Sequence, residues 1–180
     1  MRQVAPRLVG SIDRAIALCA QTLRFGKAEE RAPEPERFVL HDFAEDVAAG
    51  LALPDESTIR WHNAVPAGLT VYADGEHLYR TLNNLIRNAA QAMPEGGDIR
   101  IAAAISSGSV IIEIADTGCG LSAEAQKHLF EPFRGGRTGG TGLGLAIARE
   151  LARAHGGDIE LARTGPLGTT FRIILPDPRG

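Results

Sequence analysis

The run Gly135-Gly136-Arg137-Thr138-Gly139-Gly140-Thr141-Gly142-Leu143-Gly144 limits what this chain can build more than any other feature. Eleven of the 21 glycines lie between Gly96 and Gly144, so the middle of the chain is unusually rich in positions without a β-carbon. A run this dense cannot sustain a helix or a strand, because each glycine gives up more backbone freedom on ordering than any other residue. What it can do is present backbone N–H groups. A glycine loop that feeds a helix start offers them to anionic phosphate oxygens, helped by the positive end of the helix. Taken alone, that chemistry leaves phosphate binding and an ordinary loop both open. Two familiar phosphate motifs are excluded. No Gly-x-x-x-x-Gly-Lys-Ser/Thr run occurs, and Gly140-x-Gly142-x-Gly144 follows a loop where a dinucleotide-binding turn would follow a strand.

Periodicity gives the surrounding elements. Leu8, Ile12, Ala15, Ile16, Cys19 and Leu23 recur at three- and four-residue steps and predict an opening helix, which Gly26 ends. The charged stretch around Pro33 and Pro35 reads as a linker, so residues 1–31 form a helical appendage, 32–37 a connection and 38–180 the main domain. In that domain the pattern predicts strands at Phe38–Leu40, Thr58–Trp61 and Leu69–Tyr72 and a helix at Asp42–Leu53. A second helix starts near Glu76, with Leu78, Leu82, Leu85, Ala89 and Met93 as its apolar stripe. Asp98–Ile105 and Ser109–Asp116 form a hairpin, followed by a helix at Thr141–His155 and strands at Asp158–Leu161 and Thr169–Leu175.

Composition narrows the class. In 180 residues, 44% are hydrophobic, enough for a core, and the formal charge of -3 argues against a nucleic-acid partner. Cys19 and Cys119 supply neither a disulfide framework nor a zinc site, which fits a reducing compartment. Arg7, Asp13 and Arg14 interrupt the first twenty residues, so they do not read as a signal peptide or membrane span. The expectation is a cytoplasmic location, whether or not a longer parent chain is membrane-anchored.

Four blocks occur in order: Asn84-Leu-Ile-Arg-Asn88-Ala, Asp116-Thr-Gly118-Cys-Gly120-Leu, Phe130-Glu-Pro-Phe133 and Gly140-Thr-Gly142-Leu-Gly144-Leu. Together they resemble the N, G1, F and G2 boxes of the ATP-binding domain of sensor histidine kinases, in the wider family that includes gyrase, Hsp90 and MutL. Gly168-Thr169-Thr170-Phe171 resembles the final glycine box, and the likeness spans roughly Phe38 to Pro176. The resemblance implies an α+β fold of Bergerat type, a two-layer sandwich of a mixed sheet under a helical layer. It also implies that the opening helix is the second helix of a dimerisation hairpin.

The residues themselves suit such a site. Asn84 and Asn88 are four apart and share a helix face, beside the apolar Leu82, Leu85 and Ala89. By resemblance Asn88 holds Mg²⁺, since an uncharged carboxamide oxygen can complete an octahedral shell; two surface amides are the plainer reading. Asp116 ends an apolar strand before a glycine turn, where a carboxylate can accept from an amine or merely cap its own turn. The resemblance places the exocyclic amine of adenine there, with Gly118 and Gly120 beside the base and Thr169 supporting the ring. Phe130 and Phe133 would anchor the loop by aromatic burial. Arg137 would reach the terminal phosphate, with Arg134 as a rival and a solvated charge as the alternative for either. Thr141 would cap the next helix, whose first N–H groups, with those of Gly142, Leu143 and Gly144, would hold phosphates.

The position four residues before Asn88 separates branches of the family, because hydrolytic members carry a glutamate there that activates water. This chain has Asn84. A carboxamide is a poor general base, which favours transfer to an acceptor over hydrolysis. The resemblance therefore implies a histidine kinase that moves the γ-phosphate of ATP to a histidine on a dimerisation hairpin, then to a response-regulator aspartate, with a homodimer in the full-length protein. His41-Asp42 lacks the context of the acceptor motif, and His62, His77, His128 and His155 read as surface or packed residues, so the acceptor is expected upstream of Met1. Gln91 and Ala92, and Arg134-Gly135-Gly136-Arg137, depart from the commonest kinase pattern. A noncatalytic adaptor of the same fold and an anti-sigma-type serine kinase are the other readings.

Overall fold

The computed structural model describes residues 32–51, 58–134 and 142–178. The opening helix and the whole 1–31 segment lie outside these residues. The elements run β1 (Glu36–Val39), α1 (Leu40–Gly50), β2 (Ile59–Ala64), β3 (Thr70–Ala73), α2 (Gly75–Gln91), β4 (Gly97–Ser106), β5 (Ser109–Asp116), α3 (Ala123–Lys127), α4 (Gly144–Ala154), β6 (Asp158–Gly165) and β7 (Gly168–Pro176). Five strands form a mixed sheet in the order β2-β4-β5-β7-β6, and β1 pairs with β3 in a separate two-stranded ribbon. Only β2 and β4 are parallel within the five-stranded sheet. The fold is α+β, as expected from the sequence.

Alternation decides which sheet face is covered. Ile99 and Ile101 on β4, Val110, Ile112 and Ile114 on β5, Ile159 on β6 and Ile173 on β7 are all buried, at period-two positions. They share one core with Leu40, Ala44 and Val47 of α1, Leu78, Leu82, Leu85 and Ile86 of α2, and Ala148 and Ala152 of α4. Each fully buried leucine or isoleucine contributes about 1.5–3 kcal/mol by leaving water, which fixes α2 against the sheet. Several alternate residues carry charge instead. Glu113, Arg172 and Glu160 stand in register across β5, β7 and β6, and Arg172 donates to Glu113 at 2.8 Å and to Glu160 at 2.8 Å.

The element boundaries depart from the sequence reading where pairing overrides pattern. Strand β1 starts at Glu36, so two residues of the expected linker stand opposite Ala73 and Tyr72 of β3 in the antiparallel ribbon. Helix α1 starts at Leu40, directly after the strand, because Leu40 is fully buried there and its N–H donates to Leu69 O at 3.0 Å. Helix α3 was not expected. It is short, and Ser122 starts it by accepting from the Ala125 N–H at 3.2 Å.

Candidate nucleotide-binding site

Helix α2 is the spine of the site. Asp74 caps its start by accepting from the His77 N–H at 3.0 Å, while its other oxygen accepts from the Glu34 N–H at 2.9 Å. Its own N–H donates to Nε2 of His155 at 2.9 Å, and Nδ1 of His155 lies 2.7 Å from Leu151 O. A carbonyl can only accept and a backbone N–H can only donate, so Nδ1 of His155 donates to Leu151 O and Nε2 accepts from Asp74. One aspartate thus joins the start of α2, the end of α4 and the segment leading into β1.

On the flank of α2 beside the buried stripe, Asn84 and Asn88 are half-buried, and neither side-chain amide is hydrogen-bonded to a described residue. The first turn of α4 approaches here. A β-carbon at Gly144 would lie 3.2 Å from Asn84 Oδ1, so the two helices come close at this point. Leu143 occupies the cap position of α4 and makes no side-chain cap bond. Among the described residues, no cap side chain accepts from the leading N–H groups of the helix. Leu143 itself is buried with Ile147 and Leu151, so it can serve a ligand only through its backbone. Gly142 has φ +70, and its carbonyl accepts from the Phe133 N–H at 3.2 Å.

The other end of the site forms around Asp116, the last residue of β5. Its Oδ1 accepts from the Gly118 N–H at 2.8 Å and the Thr169 N–H at 3.1 Å, and among the described residues no donor reaches Oδ2. Burial pushes the Asp116 carboxyl above its ordinary pKa, opposed by these two N–H bonds. A buried carboxylate with one committed and one open oxygen suits a ligand that donates. Two glycines make the turn possible. Gly120 (φ +73) and Gly168 (φ +123) lie in the left-handed region, and a β-carbon at either would collide with the backbone of Gly165 or of Asp116.

These two ends meet on α2. Gly118 packs on Ala92, the residue that ends α2, whose N–H donates to Asn88 O at 3.1 Å. The turn after Asp116 thus sits one turn beyond Asn88, and α4 begins at Asn84. From Asn84 to Ala92 the helix rises about 12 Å, which leaves room for an elongated ligand with a donor at one end and anionic oxygens at the other.

Of the residues expected from the sequence, Asn84, Asn88, Asp116, Gly118, Gly120, Gly142, Leu143, Gly144 and Thr169 are described and fall into this arrangement. Arg137 and Thr141 lie outside the described residues. The paired anchoring expected of Phe130 and Phe133 is corrected. Phe130 packs against the core with the Arg149 guanidinium 4.4 Å from its ring centroid, whereas Phe133 is 62% exposed with φ +64. The left-handed turn that brings the Phe133 N–H to Gly142 leaves its ring outside. Sequence reasoning missed Thr164, Asp74 and His155. A hairpin reading of Thr164-Gly-Pro-Leu-Gly-Thr169 would have set the two threonines opposite one another, as they are in the structure.

A family model described as "Histidine kinase-, DNA gyrase B-, and HSP90-like ATPase" matches residues 73–179, which include every described site residue. The chain belongs to this family. The chain is 42% identical over 112 residues to the signal transduction histidine-protein kinase AtoS of Escherichia coli, a match covering 61% of the chain and 18% of that protein. It is 29% identical over 186 residues to the sensor-like histidine kinase SenX3 of Mycolicibacterium smegmatis, covering 98% of the chain and 48% of SenX3. The chain spans less than half the length of either relative. Among solved structures it resembles full-length ShkA in complex with AMPPNP (TM-score 0.78, 28% identity, 97% of this chain and 38% of that one). It also resembles the catalytic domain of histidine kinase ThkA (TM-score 0.72, 28% identity, 80% and 96%). The histidine kinase-like fold and its ATP-binding region follow from these likenesses.

Proposed function

We propose that the chain is the catalytic region of a two-component sensor histidine kinase, acting with ATP and Mg²⁺ on the cytoplasmic side of the membrane or in the cytosol. ATP supplies the phosphoryl group, with Mg²⁺ neutralising its charge. The residues present fit both. Oδ2 of Asp116 is open to the exocyclic amine of adenine, Thr169 stands beside it, and Gly118 and Gly120 let the backbone lie close to the base. Asn88 would hold the metal through its carboxamide oxygen, with Asn84 beside the phosphates. The N–H groups at the start of α4, through Gly142, Leu143 and Gly144, would receive the phosphate oxygens. By family likeness Thr141 would assist that helix start and Arg137 would reach the terminal phosphate. The acceptor would be a histidine on a dimerisation hairpin, arranged in a homodimer, and the final acceptor an aspartate of a response-regulator receiver domain. Among the described residues no helix is long and apolar enough to cross a membrane.

The observation that carries this reading is Asn84, whose carboxamide faces the start of α4 where a hydrolytic enzyme needs a base. An amide cannot take a proton from water, so ATP persists until a better nucleophile arrives. ATP hydrolysis without an acceptor protein tests this. The expected result is negligible turnover by the wild type and a measurable rise in Asn84→Glu; rapid wild-type hydrolysis would overturn the kinase reading.

A further inference from the structure

Thr164, the second-last residue of β6, has no part in the site as described so far. Its Oγ1 accepts from the Leu121 N–H at 2.8 Å and lies 3.2 Å from Oγ1 of Thr169. Thr169 in turn donates its backbone N–H to Asp116 Oδ1, which also holds Gly118. The bonds form a closed ring: Asp116 pins the start of the Gly118–Leu121 turn, Thr164 pins its end, and Thr169 joins the two. The strand register supports this, because Thr164 and Thr169 are directly opposed at the end of the β6–β7 hairpin.

We propose that Thr164 is a positioning residue for the base, acting through the Thr169 hydroxyl; this rests on the adenine-nucleotide reading above. The chemistry of the base gives the direction. Both ring nitrogens that flank the exocyclic amine of adenine are acceptors, so a hydroxyl working beside Asp116 serves the base as a donor. Thr169 has one hydroxyl hydrogen to give. Thr164 frees it by donating its own hydrogen to Thr169 Oγ1, while its lone pair holds the Leu121 N–H, so the Thr169 hydrogen is left for the base. Guanine presents a carbonyl oxygen where adenine has the amine, which opposes the Asp116 carboxylate, so the same ring discriminates between the two purines.

Calorimetric titration of Mg-ATP into the 180-residue chain and its variants tests the proposal. Loss of one neutral hydrogen bond corresponds to roughly 3- to 10-fold weaker binding in Thr164→Val. Thr164→Ser, which keeps the hydroxyl, should stay within about twofold of the wild type, and Thr164→Val/Thr169→Val should bind no more weakly than Thr169→Val alone. Unchanged affinity in Thr164→Val, or losses that add fully in the double variant, would overturn the relay while leaving ATP binding intact. Weakening in Thr164→Ser but not in Thr164→Val would show that the methyl group matters and would also overturn it. A wild-type chain that gives no heat with Mg-ATP would overturn the adenine reading and this proposal together.

Discussion

Replacing Asp116 with asparagine separates recognition of the base from stability of the fold. In the wild type Oδ1 is occupied by the N–H groups of Gly118 and Thr169, and Oδ2 is the atom left for a ligand donor. An asparagine can keep its oxygen on those two N–H groups, which forces its NH₂ into the place of Oδ2. The exocyclic amine then meets a donor where it had met a carboxylate. A hydrogen bond to a charged group contributes about 1.5–3 kcal/mol, so binding of Mg-ATP should weaken by about 10- to 150-fold. Stability should move differently. Burial raises the Asp116 pKa, which means that the folded state holds the proton more firmly than the unfolded one and that ionised Asp116 costs stability at neutral pH. Asparagine carries no such charge, so the melting temperature of the ligand-free variant at pH 7 should not fall. Calorimetric titration and thermal melting on the same preparation read both quantities. Unchanged affinity would refute the role of Oδ2, and a large drop in melting temperature would refute the claim that Asp116 is held there at a cost.

Two further outcomes follow from groups on α2 and α4. His77 is buried, its Nδ1 has no partner among the described residues, and burial lowers its pKa below the ordinary 6.5, with the nearby Asp74 opposing that shift and Arg80 adding to it. The unfolded chain therefore takes up a proton before the folded one does, and stability should decline as pH falls from 6.5 towards the lowered value. The slope from this one group is at most about 1.4 kcal/mol per pH unit, and denaturant titrations at pH 7.5 and 5.5 should show it reduced in His77→Leu. Arg149 is held to Asp158 through 2.7 Å and 3.0 Å bonds and covers the Phe130 ring. Arg149→Gln should cost about 1 kcal/mol in denaturant titration; an unchanged midpoint would show that this cluster does not hold Phe130.

Much of the scaffold was legible because it repeats. The stripe from Leu78 to Ala89 recurs at the helical period and is buried as a unit, and the β4–β5 hairpin alternates as its two faces require. The placement of Asn84, Asn88 and Asp116 was legible too, since each stands at a local landmark: a helix face for the amides, a strand end before glycines for the carboxylate. Contacts between distant segments left weaker traces. Nothing in Glu36-Arg37 announces pairing with β3, and the exposure of Phe133 depends on a left-handed backbone that its residue type disfavours. Thr164 bonds to Leu121, 43 positions earlier, through a hairpin end that meets the Gly118–Leu121 turn only in the assembled sheet. His155 closes α4 onto Asp74 across 81 positions, a partnership that no local window contains.

The central claim is that an adenine base is chosen by Asp116 while Asn88 holds the divalent ion of the same ligand. Parallel titrations of ATP and GTP, each with and without Mg²⁺, test it most directly. The expected result is saturable binding of Mg-ATP at one site per chain, weaker binding of ATP without the ion, and little or no heat from Mg-GTP. Equal binding of the two purines, or no heat from either, would contradict it.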